Sequence, residues 1–300
     1  MALARPRVAD FRERAAEEVS RWAALRATVG RKPLGIASAG LIAVLVLTAL
    51  FAEALAPYDP LAAQPEIRLA PPSWAHPFGT DDIGRDVLSR IIYGSRISLW
   101  VGLLAVGIGT FAGMIVGLAS GYCEGRVDLV LQRVMDAVQA IPGLILALAI
   151  VSVLTPSTTN AMLAIAVVII PGNSRIVRGA VLSAKQNRYV EAAQAIGCRH
   201  PRIVASHILP NVTAPILIIA SIWLGNAILI EASLSFLGLG TQPPTPSWGL
   251  MLSSTGRAFM EQAPWLAIFP GLAISLAVLG FNLFGDTLRD AWDPRLRRDG

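Results

Sequence analysis

Stretches without a single Asp, Glu, Lys or Arg recur along this chain at residues 34–52, 97–123, 137–174, 203–230, 232–256 and 262–285. About 20 apolar residues cross the hydrocarbon of a bilayer, and a charged side chain at its centre costs roughly 2.5 to 3.5 kcal/mol. Runs of this length therefore predict membrane-spanning helices. The run at 137–174 is too long for one helix, and Thr155, Pro156, Ser157, Thr158, Thr159 and Asn160 place turn chemistry inside it, which predicts a hairpin between two helices. The run at 232–256 carries Pro243, Pro244, Pro246 and several glycines between Gly238 and Trp248 and reads as a loop. The sum is an all-α integral membrane protein with six transmembrane helices. The first occupies 34–56, and helices 2–6 form a core over 97–285.

The first span could also be a secretory signal, because Ala54-Leu55-Ala56 resembles a small-residue cleavage site. A lead of 33 residues and an apolar core of about 19 are too long for one.

Charge sets the expected orientation. With six helices and both termini in the cytosol, the cytosolic segments 1–33, 124–133, 175–202 and 286–300 carry eight, two, six and four of the 25 lysines and arginines. The other side keeps Arg68, Arg85, Arg90, Arg96 and Arg257, so the distribution follows the positive-inside rule. The formal net charge of +5 is then accounted for by basic loops facing an anionic inner leaflet, and no nucleic-acid partner is implied. Composition agrees: 54% of residues are hydrophobic and 15% charged, with a mean hydropathy of +0.58, against roughly a quarter charged in soluble domains. Cys123 and Cys198 both fall on the cytosolic side, where disulfides are rare.

Residues 5–32 place Phe11, Ala15, Val19, Trp22 and Val29 near helical spacing among basic groups, the pattern of an amphipathic helix on the inner membrane surface or of a basic tail. Residues 57–96 read as an external connector. Its Pro-rich first part leads into Gly79, Thr80, Asp81, Gly84, Arg85 and Asp86, where Thr80 suits an N-cap and the acids precede the basic residues, predicting a short helix over 81–93. Gly102, Gly107, Gly109, Gly113 and Gly117 recur at spacings near four in the second span, which lets a neighbouring backbone come close.

Polar groups inside or beside spans are candidates for a pathway or gate. Glu231 lies about 27 Å along a helix from Thr213, near the outer surface; Asp136 sits at the cytosolic end beside Arg133; Asn226 lies between. Pairing at helix ends is the alternative for both acids. Pro142, Pro171 and Pro270 are expected to kink or end helices. His200 and His207 lack the spacing of paired metal ligands, so no metal is assigned. Ser206 and His207 are adjacent and project about 100° apart on a helix, so they do not form a nucleophile and base. The basic residues Arg175, Arg178, Lys185, Arg188, Arg199 and Arg202 could suggest a DNA-binding helix pair, but that segment is pinned between two spans.

The longest cytosolic excursion, 183–210, reads helix, Gly stop, helix. Glu191 suits the start of a helix, Ala192 and Ala193 give it a face without bulk, and Gly197 can adopt the left-handed conformation that ends it. Glu191-Ala192-Ala193, then Gly197, then Leu209-Pro210 resembles the "EAA" signature of ABC importer permeases, the helix that docks on an ATPase subunit. His207 stands where the family pattern usually has Ile, a departure similar to the peptide and nickel branch. The stretch from Phe78 to Leu99, and Glu231-Ala232-Ser233-Leu234-Ser235-Phe236-Leu237-Gly238-Leu239-Gly240 with Pro246-Ser247-Trp248-Gly249, resemble the C-type permease of dipeptide and oligopeptide importers.

This resemblance implies a type I ABC importer permease fold in a bacterial inner membrane and non-catalytic work as half of a translocation pathway. It also implies a heterodimer with a second, homologous permease, two ATPase subunits and an extracytoplasmic substrate-binding protein. ATP and Mg would be bound by the partner subunits, with no cofactor on this chain. The only lysines, Lys32 and Lys185, follow Arg31 and Ala184, so no GxxxxGK[ST] phosphate loop is present. Peptides are the expected cargo; nickel chelates, glutathione and sugars use similar permeases. A secondary transporter using Glu231 and Asp136 is the contrasting reading.

Overall fold

The computed structural model describes residues 33–253 and 258–292; the expected surface helix at 5–32 lies outside them. All the regular structure described is helical, apart from one isolated bridge between Thr80 and Asp86. Helix α1 runs over Pro33–Leu50 and the single turn α2 over Ala52–Leu55. Then come α3, Val87–Cys123; α4, Gly125–Gln139; α5, Gly143–Leu154; and α6, Thr158–Lys185. A short α7, Arg188–Ala195, precedes α8, His200–Ile203, and a π-helical turn at Val204–Ile208 leads into α9, Leu209–Phe236. The turn α10, Trp248–Leu252, and the long α11, Trp265–Trp292, are the last of the described helices.

Among the described residues five helical stretches are long and apolar enough to cross a membrane: α1, α3, α6, the continuous His200–Phe236, and α11. The sixth is not a straight helix. The first half of the run at 137–174, before the turn at 155–160, predicts one of the two spans of the hairpin, but α4 and α5 meet there at 87°. Pro142 stands at the break, as the N-cap of α5, and lacks the N–H needed to continue α4. With 12 residues, α5 rises only about 18 Å, less than the roughly 30 Å of hydrocarbon. Pro171 and Pro270 sit inside α6 and α11, as does Pro215 inside α9.

The glycine ladder of α3 faces α6. A Cβ on Gly109 would stand 2.7 Å from the Ala166 carbonyl oxygen, on Gly113 2.7 Å from Asn173 Cβ, on Gly117 2.6 Å from the Ser174 oxygen, and on Gly121 2.9 Å from Val181 Cβ. These partners advance in step along both helices, so α3 and α6 are parallel, with α5 returning between them. Gly102 instead meets Ile228 of antiparallel α9. Gly117→Ala is expected to overpack this seam, at a typical cost of 1 to 3 kcal/mol, and to lower the apparent Tm of the detergent-solubilised chain by several degrees. Gly107→Ala, with nothing within 4 Å of the new methyl, should leave Tm unchanged; equal shifts would refute the assignment of the seam.

The helix expected over 81–93 is not formed as such. Residues 79–86 make a tight turn closed by the Thr80–Asp86 bridge, with Gly79 and Gly84 at φ +72° and +82°. Asp81 Oδ1 accepts the backbone N–H groups of Ile83 and Arg85, which a helix start would have aimed elsewhere. Asp86, not Thr80, caps the helix: its Oδ2 accepts Ser89 N at 2.8 Å and Ser89 Oγ at 2.7 Å. From Val87 the helix continues unbroken into the membrane span, through Arg96. That charge is carried by the end of α1 and by α2: Arg96 donates to Ala49 O, Leu50 O and Glu53 Oε1.

Candidate functional site

The segment between α6 and α9 forms one end of the bundle. Asn187 donates its side-chain N–H to the Ser183 and Ala184 carbonyls at the end of α6, and the chain turns into α7. Val190 and Ala193 of α7 are buried among Val177, Val181, Ile203, Ile208 and Val212. That fixes the opposite face outward. Tyr189, Glu191, Ala192 and Ile196 are exposed, Ile196 at 80%. The helix then stops in a Schellman turn: Gly197 N donates to Gln194 O, Cys198 N donates to Ala193 O, and Gly197 has φ +76°. The expected order of helix, glycine stop and helix is therefore present.

Downstream, His207 lies half-buried in the π-helical turn, its carbonyl accepting Asn211 Nδ2 at 2.7 Å. Leu209 packs against the same buried cluster, and Pro210, in the first turn of α9, is exposed. Of the seven sequence-predicted residues, Glu191, Ala192, Gly197 and Pro210 are exposed, His207 is half-buried, and Ala193 and Leu209 pack into the buried cluster.

Both ends of this segment meet Tyr122 in the last turn of α3. Before it, Lys185 Nζ donates to the Tyr122 carbonyl at 2.9 Å, lies 5.4 Å from its ring centroid and pairs with Glu124 at 2.7 Å. After it, His200 Nδ1 lies 2.6 Å from Tyr122 Oη, the rings edge to face. Nearby, Asp128 of α4 accepts two hydrogen bonds from the Arg178 guanidinium and one from Ser120, which also accepts from Gln132. Asp136 pairs with Arg175 of α6, not with neighbouring Arg133. Sequence reasoning missed Tyr122, Ser120, Asp128 and Arg178. Their partners lie 8 to 78 residues away, and the one signal available was opposite charge at the ends of apolar runs.

At the other end Glu231 is 1% exposed, enclosed by the packing of α9. Its carboxylate accepts from Ser235 Oγ at 2.7 Å, Ser98 Oγ at 3.2 Å and Thr241 Oγ1 at 3.4 Å. These contacts fold the loop after α9 onto the helix that precedes it, where Gly240 presses on Ser235 and Gly249 on Ala232. Asn226 differs, being exposed on α9 in mid-span, on a surface this chain does not cover. Glu231 and Asn226 are not brought together in one site.

The 79–86 motif is likewise held by internal bonds. Arg85 and Arg90 converge on Asp81 at 2.6 and 3.6 Å, Arg90 donates to Pro60 O, and His76 Nδ1 reaches Asp86 at 3.0 Å. Trp265 Nε1 donates to Thr80 O, and Phe78 stacks on Phe269 at 3.9 Å. Deeper, buried Asn173 donates to Thr110 while its Oδ1 has no hydrogen-bond partner. Among the described residues no group of three or more His, Cys, Asp or Glu converges as a metal site.

Residues 109–298 match the family described as binding-protein-dependent transport system inner membrane component, and residues 20–72 match the N-terminal TM domain of oligopeptide transport permease C. The chain is 44% identical to the dipeptide transport system permease protein DppC of Alkalihalophilus pseudofirmus, over 93% of this chain and 91% of that one. It is 44% identical to the probable D,D-dipeptide transport system permease protein DdpC of Escherichia coli, over 88% of each. Identity to the glutathione transport system permease protein GsiD of Pectobacterium atrosepticum is 43%, over 89% of each. The MetNI methionine ABC transporter in an inward-facing form shares the fold, with TM-score 0.52 and 18% identity over 69% of this chain and 98% of that one.

Proposed function

Because this chain belongs to the family of binding-protein-dependent transport system inner membrane components, we propose that α7 and its glycine stop dock on an ATPase subunit. The chain is the permease subunit of an ABC importer in the inner membrane. Peptides are its cargo class, supported by relatives named for dipeptide transport; the glutathione relative is itself named for a peptide.

The observation that carries the docking surface is the division of α7. Its buried face of Val190 and Ala193 packs against the bundle, while Tyr189, Ala192 and Ile196 remain uncovered in a segment rich in polar groups. Exposed aromatic and aliphatic groups on one short rigid helix fit a groove in a partner, and Ala192 allows its wall to come close. The end bearing α7 then faces the cytosol, as the charge asymmetry favours. A second, homologous permease completes the pathway, with Asn226 on the face turned toward it. Two ATPases bind ATP and Mg, and an extracytoplasmic binding protein delivers cargo to the 57–86 end. ATP closes the ATPase pair; the permeases rock only because that closed pair is bound better in one of their two states.

The test is co-purification of the ATPase with the assembled permease pair. Ile196→Asp and Glu191→Lys change exposed side chains, so the chain should insert and melt as wild type while ATPase recovery falls at least tenfold. Wild-type recovery with both variants overturns the assignment. Gradient-driven uptake by this chain alone, without ATPase, would instead favour a secondary transporter.

A further inference from the structure

We infer that Tyr122 is a positioning residue of the transport stroke: it ties both ends of the α7 segment to α3, so that movement of the docked helix reaches α3 directly. This rests on the docking role proposed for α7. By covalent connection, α7 is continuous only with α6 before it and with α8 and α9 after it. The contacts add a third route. Lys185, in the last turn of α6, grips the carbonyl and ring of Tyr122, and His200, at the start of α8, meets its hydroxyl. Between these two attachments lie α7 and the Gly197 turn.

The two attachments differ in kind. Lys185 pairs a cation with a carbonyl that the end of α3 leaves without a helical partner, and with Glu124, so this side also closes the helix end. The His200 contact, at 2.6 Å, closes no helix end and fills no buried core, since His200 is exposed. Neutral His200 can accept the tyrosine hydroxyl proton at Nδ1, and the hydroxyl oxygen can accept from an Nδ1–H. What the contact does is hold α8, and through it the exit of the Gly197 turn, against α3. An α3 braced to α6 by its glycine ladder then receives the displacement of α7 from both sides at once.

The experiment uses the whole complex, with partner permease, ATPases and binding protein, in proteoliposomes. Uptake of a radiolabelled dipeptide that the wild-type complex transports is divided by ATP hydrolysed. Tyr122→Phe keeps the ring and carbonyl but removes the hydroxyl; His200→Ala removes the other partner. Each is expected to retain ATPase co-purification and hydrolysis within twofold while uptake per ATP falls at least fivefold. The double variant should be no worse than either alone, as for two halves of one contact. His200→Asn, which sets an amide where Nδ1 stands, should restore the ratio to within twofold of wild type.

An unchanged ratio in Tyr122→Phe overturns the inference. So does a loss of uptake that tracks loss of docking, or a loss that Asn does not restore, since either makes the contact merely structural. Failure of the docking proposal is seen separately, as wild-type ATPase recovery with Ile196→Asp and Glu191→Lys.

Discussion

Gly197→Pro is expected to abolish ATP-driven uptake and ATPase docking together while the chain still inserts in membranes. Gly197 has φ +76° and donates its N–H to Gln194 O. Proline fixes φ near −65° and has no N–H, so the turn cannot form with it. The cost, ~3 kcal/mol or more, corresponds to a roughly hundredfold or greater loss of the native turn. Open space around the residue rules out a packing explanation, since nothing lies within 4 Å of a Cβ there. Gly197→Ala isolates the backbone term: a left-handed alanine costs about 1 to 2 kcal/mol, so intermediate docking is expected. ATPase recovery and uptake in matched proteoliposomes check both, and a Pro variant that docks and transports as wild type would reduce the segment to an ordinary loop.

Glu231→Leu is expected to have the larger effect on stability. It replaces the acceptor of three hydroxyl groups with a side chain that accepts nothing, in a node that is 1% exposed. A buried donor left without a partner costs about 1 to 3 kcal/mol. Allowing one hydroxyl to find another acceptor, the loss is about 3 kcal/mol, read as a lowered Tm in detergent and faster proteolysis within 237–247. Glu231→Gln keeps an oxygen in place and should stay within about 1 kcal/mol of wild type. If Gln is as damaging as Leu, the charge matters beyond the hydrogen bonds and a gating role gains ground.

What the sequence made legible was local. Charge-free runs locate α1, α3, α6, α9 and α11 because the penalty for a charge in lipid is large and acts on each residue by itself. The α7 stop was legible for a similar reason: few residues other than glycine tolerate the backbone angle that ends a helix this way. The boundaries failed where a side chain chose between two backbone partners. Thr80 and Asp86 both suit an N-cap, and the choice fell to Asp86 because Thr80 is occupied by Ala70 and Ile67, more than nine residues away. The break between α4 and α5 was legible at Pro142, but its 87° angle was not, because hydropathy does not report direction. Tyr122 escaped altogether, since a tyrosine at the end of an apolar run is ordinary until His200, 78 positions later, is folded against it.

Helix α3 has 37 residues, and at 1.5 Å each its axis is about 55 Å long, more than the roughly 40 to 45 Å of a bilayer with its headgroups. Its first turn is capped by Asp86 and gripped through Arg90, and its last turn carries Tyr122. A rod of that length works as a pointer: with its first turn as the pivot, each degree of tilt that it shares with α6 sweeps the far end by about 1 Å. The whole width of a side-chain contact is therefore crossed in a swing of a few degrees. A slight turn at the Asp86 end and a displacement of several ångströms at the Tyr122 end are, for this helix, one and the same rotation.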